Sequence, residues 1–160
     1  MMNNRADTFP EPFRRLAISS LFLALGVLPA SAGQAAGAGD WPTWRYDSKR
    51  SGRSPEMAPS IPRLSWKKTW PALKPAYRSK RLQFDAGYEP IIMGNLLFLA
   101  SSLNDSVTAI SLDDGSQAWR FYANGPVRFA PVAAGGRVYF GSDDGHLYCL
   151  RASSGKLEWK

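Results

Sequence analysis

The sequence predicts an all-β fold, a β-propeller of four-stranded antiparallel blades, and three observations carry that prediction. Gly115 and Trp119 recur forty positions on as Gly155 and Trp159. Turn-forming residues divide each copy into short runs rich in apolar, aromatic and β-branched residues, the pattern of hairpins. No helical periodicity lies between the copies, which removes a βαβ arrangement.

The repeat extends well beyond its landmarks. Residues 90–120, "PIIMGNLLFLASSLNDSVTAISLDDGSQAWR", align with 131–160, "PVAAGGRVYFGSDDGHLYCLRASSGKLEWK". Pro90, Gly94 and Ser101 meet Pro131, Gly135 and Ser142 at an interval of 41. One extra residue in the 102–106 loop then reduces the interval to 40, where it stays. In the second copy Gly135-Gly136 and Asp144-Gly145 each read as a type I′ hairpin turn, which needs positive φ at both central residues. Val138 and Phe140 alternate with Arg137 and Tyr139, so the two pairs point to opposite faces of the strand. Four short strands in about forty residues describe one propeller blade.

The chain divides into six segments. Residues 1–32 read as a signal peptide: Arg5, Arg14 and Arg15 precede the apolar run "LAISSLFLALGVL" (16–28), and "ASA" (30–32) supplies the small-residue cleavage pattern. Cleavage between Ala32 and Gly33 would export the mature chain and leave it with no stable membrane span, since the run is too short for a comfortable one. Residues 33–62 are a Trp- and Pro-rich basic lead-in. In 63–67, "RLSWK" parallels the terminal "KLEWK" (156–160), so these residues are expected to form a closing outer strand with Trp66 in the role of Trp119 and Trp159. Residues 68–88 form a basic insertion or linker, and 89–122 and 123–160 are the two blades. Two blades and a closing strand do not complete a ring of about four to eight, so further blades are expected on the C-terminal side of a longer chain.

Composition removes several functional classes. One cysteine, Cys149, permits neither an intramolecular disulfide nor a multi-cysteine zinc site. One histidine, His146, leaves no multi-histidine metal cluster and disfavours a Ser-His-Asp triad. Asp143, Asp144, Asp113 and Asp114 sit beside turn glycines and read as turn residues, too few to supply the six to eight oxygens of a calcium site. Cys149 reads as a buried, inert thiol at a small-residue position. The formal net charge is +7. Its basic excess is confined to residues 41–81, where eleven Lys or Arg face only Asp47 and Glu56. Such a segment is usually a solvated surface; in an exported chain its anionic partners would be envelope polymers or lipid headgroups and not nucleic acid.

The stretches "AISLDDGSQAW" (109–119) and "CLRASSGKLEW" (149–159) resemble the docking motif of PQQ-like propeller repeats, A-x-D-x-x-T-G-x-x-x-W. Ala109, Gly115 and Trp119 match it, and Ser111 and Asp114 depart from it. Gly155 and Trp159 match in the second copy, while Cys149 replaces Ala, Arg151 replaces Asp and Ser154 replaces Thr. "DWPTWRYDSKRSG" (40–52) resembles the Trp-rich lead-in of exported proteins of this kind. The motif has a physical reading: Gly ends the third strand in a positive-φ turn, and the Trp four residues on buries its ring against the next blade.

The resemblance implies a non-catalytic, BamB-like scaffold in the cell envelope that binds protein partners, with no cofactor expected. The lipoprotein Cys usual in such assembly factors is missing after the apolar run. An alternative is the N-terminal part of a quinoprotein dehydrogenase using PQQ and calcium, whose clamping Cys pair, catalytic Asp and calcium ligands have no counterpart in the two repeats. A further alternative, an envelope polysaccharide-binding protein, rests on the 45–81 charge cluster.

Overall fold

Eight strands account for the repeat region. They are β1 (Ile91–Met93), β2 (Leu96–Ser101), β3 (Ser106–Ser111), β4 (Gln117–Tyr122), β5 (Val132–Ala134), β6 (Arg137–Gly141), β7 (Leu147–Arg151) and β8 (Leu157–Trp159). The structure, a computed structural model, describes residues 37, 39–73, 75, 79 and 87–160. The expected signal peptide, its cleavage point at Ala32 and Gly33, and most of the 74–85 insertion lie outside the described residues. Among the described residues there is no helix long and apolar enough to cross a membrane.

The strands form two antiparallel sheets in the orders β1-β2-β3-β4 and β5-β6-β7-β8. Each sheet is thus a four-stranded meander, and the fold is two blades of a β-propeller forming an arc and not a closed ring. At Gly135 and Gly136, φ is +56° and +74°, as a type I′ turn requires. The Asp144-Gly145 turn differs from expectation, because only Gly145 has positive φ, at +87°. Its loop closes through Gly145 N–H to Ser142 O and Ser142 N–H to His146 O. Asp144 keeps an ordinary φ while its Oδ1 accepts the His146 N–H at 3.0 Å, so a side chain does the work a second positive φ would have done.

The blades pack face to face through two apolar clusters. One joins Ile91, Phe98 and Ala109 of the first blade to Ala133, Val138 and Ala152 of the second. The other joins Ala100 and Val107 to Val127, Phe140, Tyr148 and Leu150. Phe121 from β4 reaches across to Phe140 and Tyr148, with ring centroids 6.1 and 5.6 Å apart. Alternation explains the partition: in β6 Val138 and Phe140 are buried while Arg137 and Gly141 are exposed. Residues 106–110 of β3 are buried on both faces: Ser106 and Thr108 face a recess that Trp70, Pro71 and Tyr88 help line.

Residues 63–67 form no strand, contrary to the expected closing strand. A strand needs a neighbouring backbone to satisfy its polar groups, and among the described residues no backbone–backbone hydrogen bond joins this segment to another; Leu64 is 83% exposed. The segment is held instead by side chains. The lead-in proper does pair: Trp41 and Ile92 exchange two backbone hydrogen bonds of 2.8 and 2.9 Å, and Pro42 O accepts the Ala133 N–H at 2.8 Å. Asp40 Oδ1 accepts the Gly94 N–H at 2.7 Å. Residues 40–42 therefore run along the inner edges of both blades and cover edges that would otherwise be open.

Candidate functional site

The docking motif builds a seam that occurs twice. In the seam between the blades the Trp119 indole lies flat over Gly155: a methyl group at Gly155 would sit 2.6 Å from both Cδ2 and Cε3 of the ring. Its Nε1–H donates to Ala152 O at 2.8 Å. Gly155 has φ of +68°, so the position excludes a side chain both by conformation and by space. Trp66 repeats this geometry on the first blade. Its ring would meet a methyl at Gly115 at 2.8 Å from Cε3, and its Nε1–H donates to Leu112 O at 2.7 Å. Lys68 Nζ adds a 2.7 Å bond to Gly115 O. Each seam therefore pairs a flat aromatic ring with a turn that has no Cβ.

A register shift aims the ring. Ala109 pairs with Trp119 and Ile110 with Gln117, leaving Ala118 as the extra residue; Cys149 pairs with Trp159 and Leu150 with Leu157, leaving Glu158. A bulge turns the following side chain by a local twist, and its recurrence at equivalent positions shows that it belongs to the motif. Sequence alone did not reveal it, because no residue type marks a bulge without glycine. Trp159 follows the equivalent bulge but is 46% exposed, its ring centroid 6.1 Å from that of Tyr139. Cys149 is fully buried opposite it, and burial raises the thiol above its ordinary pKa, which leaves it protonated and unreactive.

The acidic residues of the blades are spent on turns and ion pairs. Asp143 holds Arg128 in a two-point ion pair of 2.8 and 3.0 Å. Asp113 accepts from Asn95 Nδ2 at 2.6 Å, and Asp114 accepts the Ser116 N–H at 2.9 Å, which lowers its pKa. Glu158 joins Arg137 and Arg151. Asp144 is the most connected. Burial pushes its pKa upward, but hydrogen bonds from the Tyr148 hydroxyl and the His146 N–H outweigh that and hold it at about 2. His146 Nδ1 lies 3.4 Å from the same carboxylate, and its side chain is half exposed. Among the described residues no three His, Cys, Asp or Glu side chains converge to hold a metal ion.

The lead-in adds a concave surface that the sequence did not announce. Trp44, Arg45, Tyr88, Glu89 and Ile92 help line a cavity of about 580 Å³, and Trp44, Arg50, Glu89 and Phe129 line a neighbouring one of about 420 Å³. Both open where the chain enters the innermost strands β1 and β5.

A family profile described as outer membrane protein assembly factor BamB matches residues 42–160. Among solved structures, quinohemoprotein alcohol dehydrogenase from Comamonas testosteroni aligns at 22% identity with a TM-score of 0.54, over 78% of this chain and 19% of that one. BamB from Moraxella catarrhalis aligns at 17% identity with a TM-score of 0.38, over 41% of this chain and 20% of that one. The chain therefore spans about a fifth of the length of either structure. At such identities the likeness to the dehydrogenase speaks to the fold alone. Among curated protein sequences there is no match to the chain.

Proposed function

The chain belongs to the family described as outer membrane protein assembly factor BamB, and on that premise we propose that it is part of a non-catalytic propeller scaffold that binds protein partners in the cell envelope during outer membrane protein assembly. The observation that carries this reading is the family match across 42–160, which takes in the lead-in as well as both blades. The chemistry of the described residues is consistent with it: a binding scaffold needs a rigid disc and exposed loops, and no converging catalytic groups. The envelope is where such a scaffold would act.

The test is depletion in a Gram-negative host that makes the protein. Cells lacking it are expected to carry less folded β-barrel protein in their outer membrane, and photo-crosslinkers in the exposed 122–126 and 142–146 loops are expected to capture envelope proteins. Unchanged β-barrel levels, together with PQQ- and calcium-dependent dye reduction by the purified protein, would favour a quinoprotein dehydrogenase instead.

A further inference from the structure

We propose that the lead-in and the entries to β1 and β5 form a binding site for an anionic oligosaccharide, independent of protein docking by the scaffold. The two adjoining cavities share Trp44 and Glu89 in their walls, and each falls within the roughly 300–1,000 Å³ typical of small-ligand sites. Their aromatic surfaces are available: Trp44 is 42% exposed and Phe129 62% exposed. An exposed indole offers a flat apolar face of the kind that stacks on the C–H face of a sugar ring.

The charged groups around these rings divide into spent and unspent. Asp40 accepts from the Gly94 and Gly37 N–H groups, Glu56 from the Gly39 N–H, and Glu89 from the Ala130 N–H. Each carboxylate retains lone pairs that can accept from ligand hydroxyls. Arg45 and Arg50 have no carboxylate partner among the described residues; their guanidinium carbons lie 5.8 and 5.2 Å from the centre of the Trp44 ring. Two uncompensated guanidinium forks beside an exposed indole favour a carboxylate or phosphate carried on a ring.

The backbone holds these groups in place at a conformational cost. Arg45, Tyr46 and Arg50 have φ of +59°, +81° and +56°, a region that non-glycine residues rarely occupy. The loop is locked by Gly52 N–H to Arg45 O and Arg50 N–H to Asp47 O, both 2.9 Å, and by Ser51 N–H to Asp47 Oδ1 at 2.9 Å. Strain that packing over-determines is characteristic of ligand clamps. A peptide fits less well, because it could not add as a strand: residues 41 and 42 already occupy the adjoining edges at Ile92 and Ala133.

The full chain is titrated by calorimetry and tryptophan fluorescence with a galacturonic acid tetrasaccharide, a phosphorylated oligosaccharide, a neutral glucose tetrasaccharide and a poly-glutamate peptide. Saturable binding of at least one anionic saccharide is expected, at least tenfold tighter than that of the neutral sugar or the peptide; the two anionic arms distinguish carboxylate from phosphate. Trp44→Ala is expected to weaken binding at least tenfold. Arg45→Asn with Arg50→Asn, chosen because Asn tolerates left-handed φ, is expected to bring the anionic sugars down to the level of the neutral one while circular dichroism stays unchanged. Absence of binding to both anionic sugars, equal binding of poly-glutamate, or undiminished binding by the folded variants would overturn the proposal.

Discussion

Trp119 and Trp159 occupy the same motif position in the two blades, after the same bulge, yet they end in different environments. The Trp119 ring is sandwiched between Phe98, at 5.8 Å, and the Gly155 turn, and its Nε1–H reaches Ala152 O. Trp159 has a ring contact to Tyr139 and is otherwise nearly half exposed. Trp66 completes the comparison from the other side: it docks on Gly115 as Trp119 docks on Gly155, but from a segment that is not a strand. The motif therefore encodes two halves of an interface in one repeat. The Trp is the half offered to the following blade, and the Gly turn is the half that receives the preceding one.

The sharpest test of this comparison is truncation of the two rings. Trp119→Ala is expected to cost about 3–5 kcal/mol in denaturant titration, as removal of a large core side chain does. Trp159→Ala in the same chain is expected to cost about 1 kcal/mol or less, the range of surface substitutions. Equal losses would show that the rings act within their own blades and not across the seam.

Next in size is the receiving half. Gly155→Ala places a methyl against the Trp119 ring at a left-handed residue, and about 2–4 kcal/mol of destabilisation is expected from overpacking and backbone strain together. Gly136→Ala is the matched control. Its φ is similar, at +74°, but nothing lies within 4 Å of the added methyl, so about 1–2 kcal/mol is expected from strain alone. If the two variants melt alike, the close approach of the indole contributes nothing.

The smallest expected effect distinguishes the blades by their loops. Asp144 of the second blade titrates at about 2 against an ordinary 3.8. A depressed carboxylate contributes stability above the unfolded value that is lost as pH falls through the folded one, so the melting temperature is expected to step down between about pH 4 and pH 2. Asp144→Asn should flatten that step. The equivalent loop of the first blade is built differently: Asp105 takes a left-handed φ of +54°.

Much of the blade architecture could be read from residues because the repeat states it twice. The strands, the Gly135-Gly136 turn and the alternation of Val138 and Phe140 follow from period and turn chemistry, which are local properties of the chain. The type assigned to the Asp144-Gly145 turn was wrong for an instructive reason: carboxylate hydrogen bonds from Asp144 compete with the backbone preference that an Asp-Gly pair suggests. The paired bulges at Ala118 and Glu158 left no mark, since neither position holds a residue type that signals a bulge.

By itself the sequence determined which residues would face inward, where the chain would turn, and that Gly115, Trp119, Gly155 and Trp159 belong to a repeating interface. Those are consequences of side-chain size, hydrophobic period and glycine's conformational range, all carried by the residues themselves. Tertiary structure alone decided what each of them meets. Trp66 docks without a strand because an indole needs only a flat turn and one carbonyl, whereas 63–67 would need a neighbouring backbone. Residues 40–42 cover the inner edges of both blades because those contacts join segments about fifty to ninety residues apart, and no local preference specifies which distant partner completes a hydrogen bond.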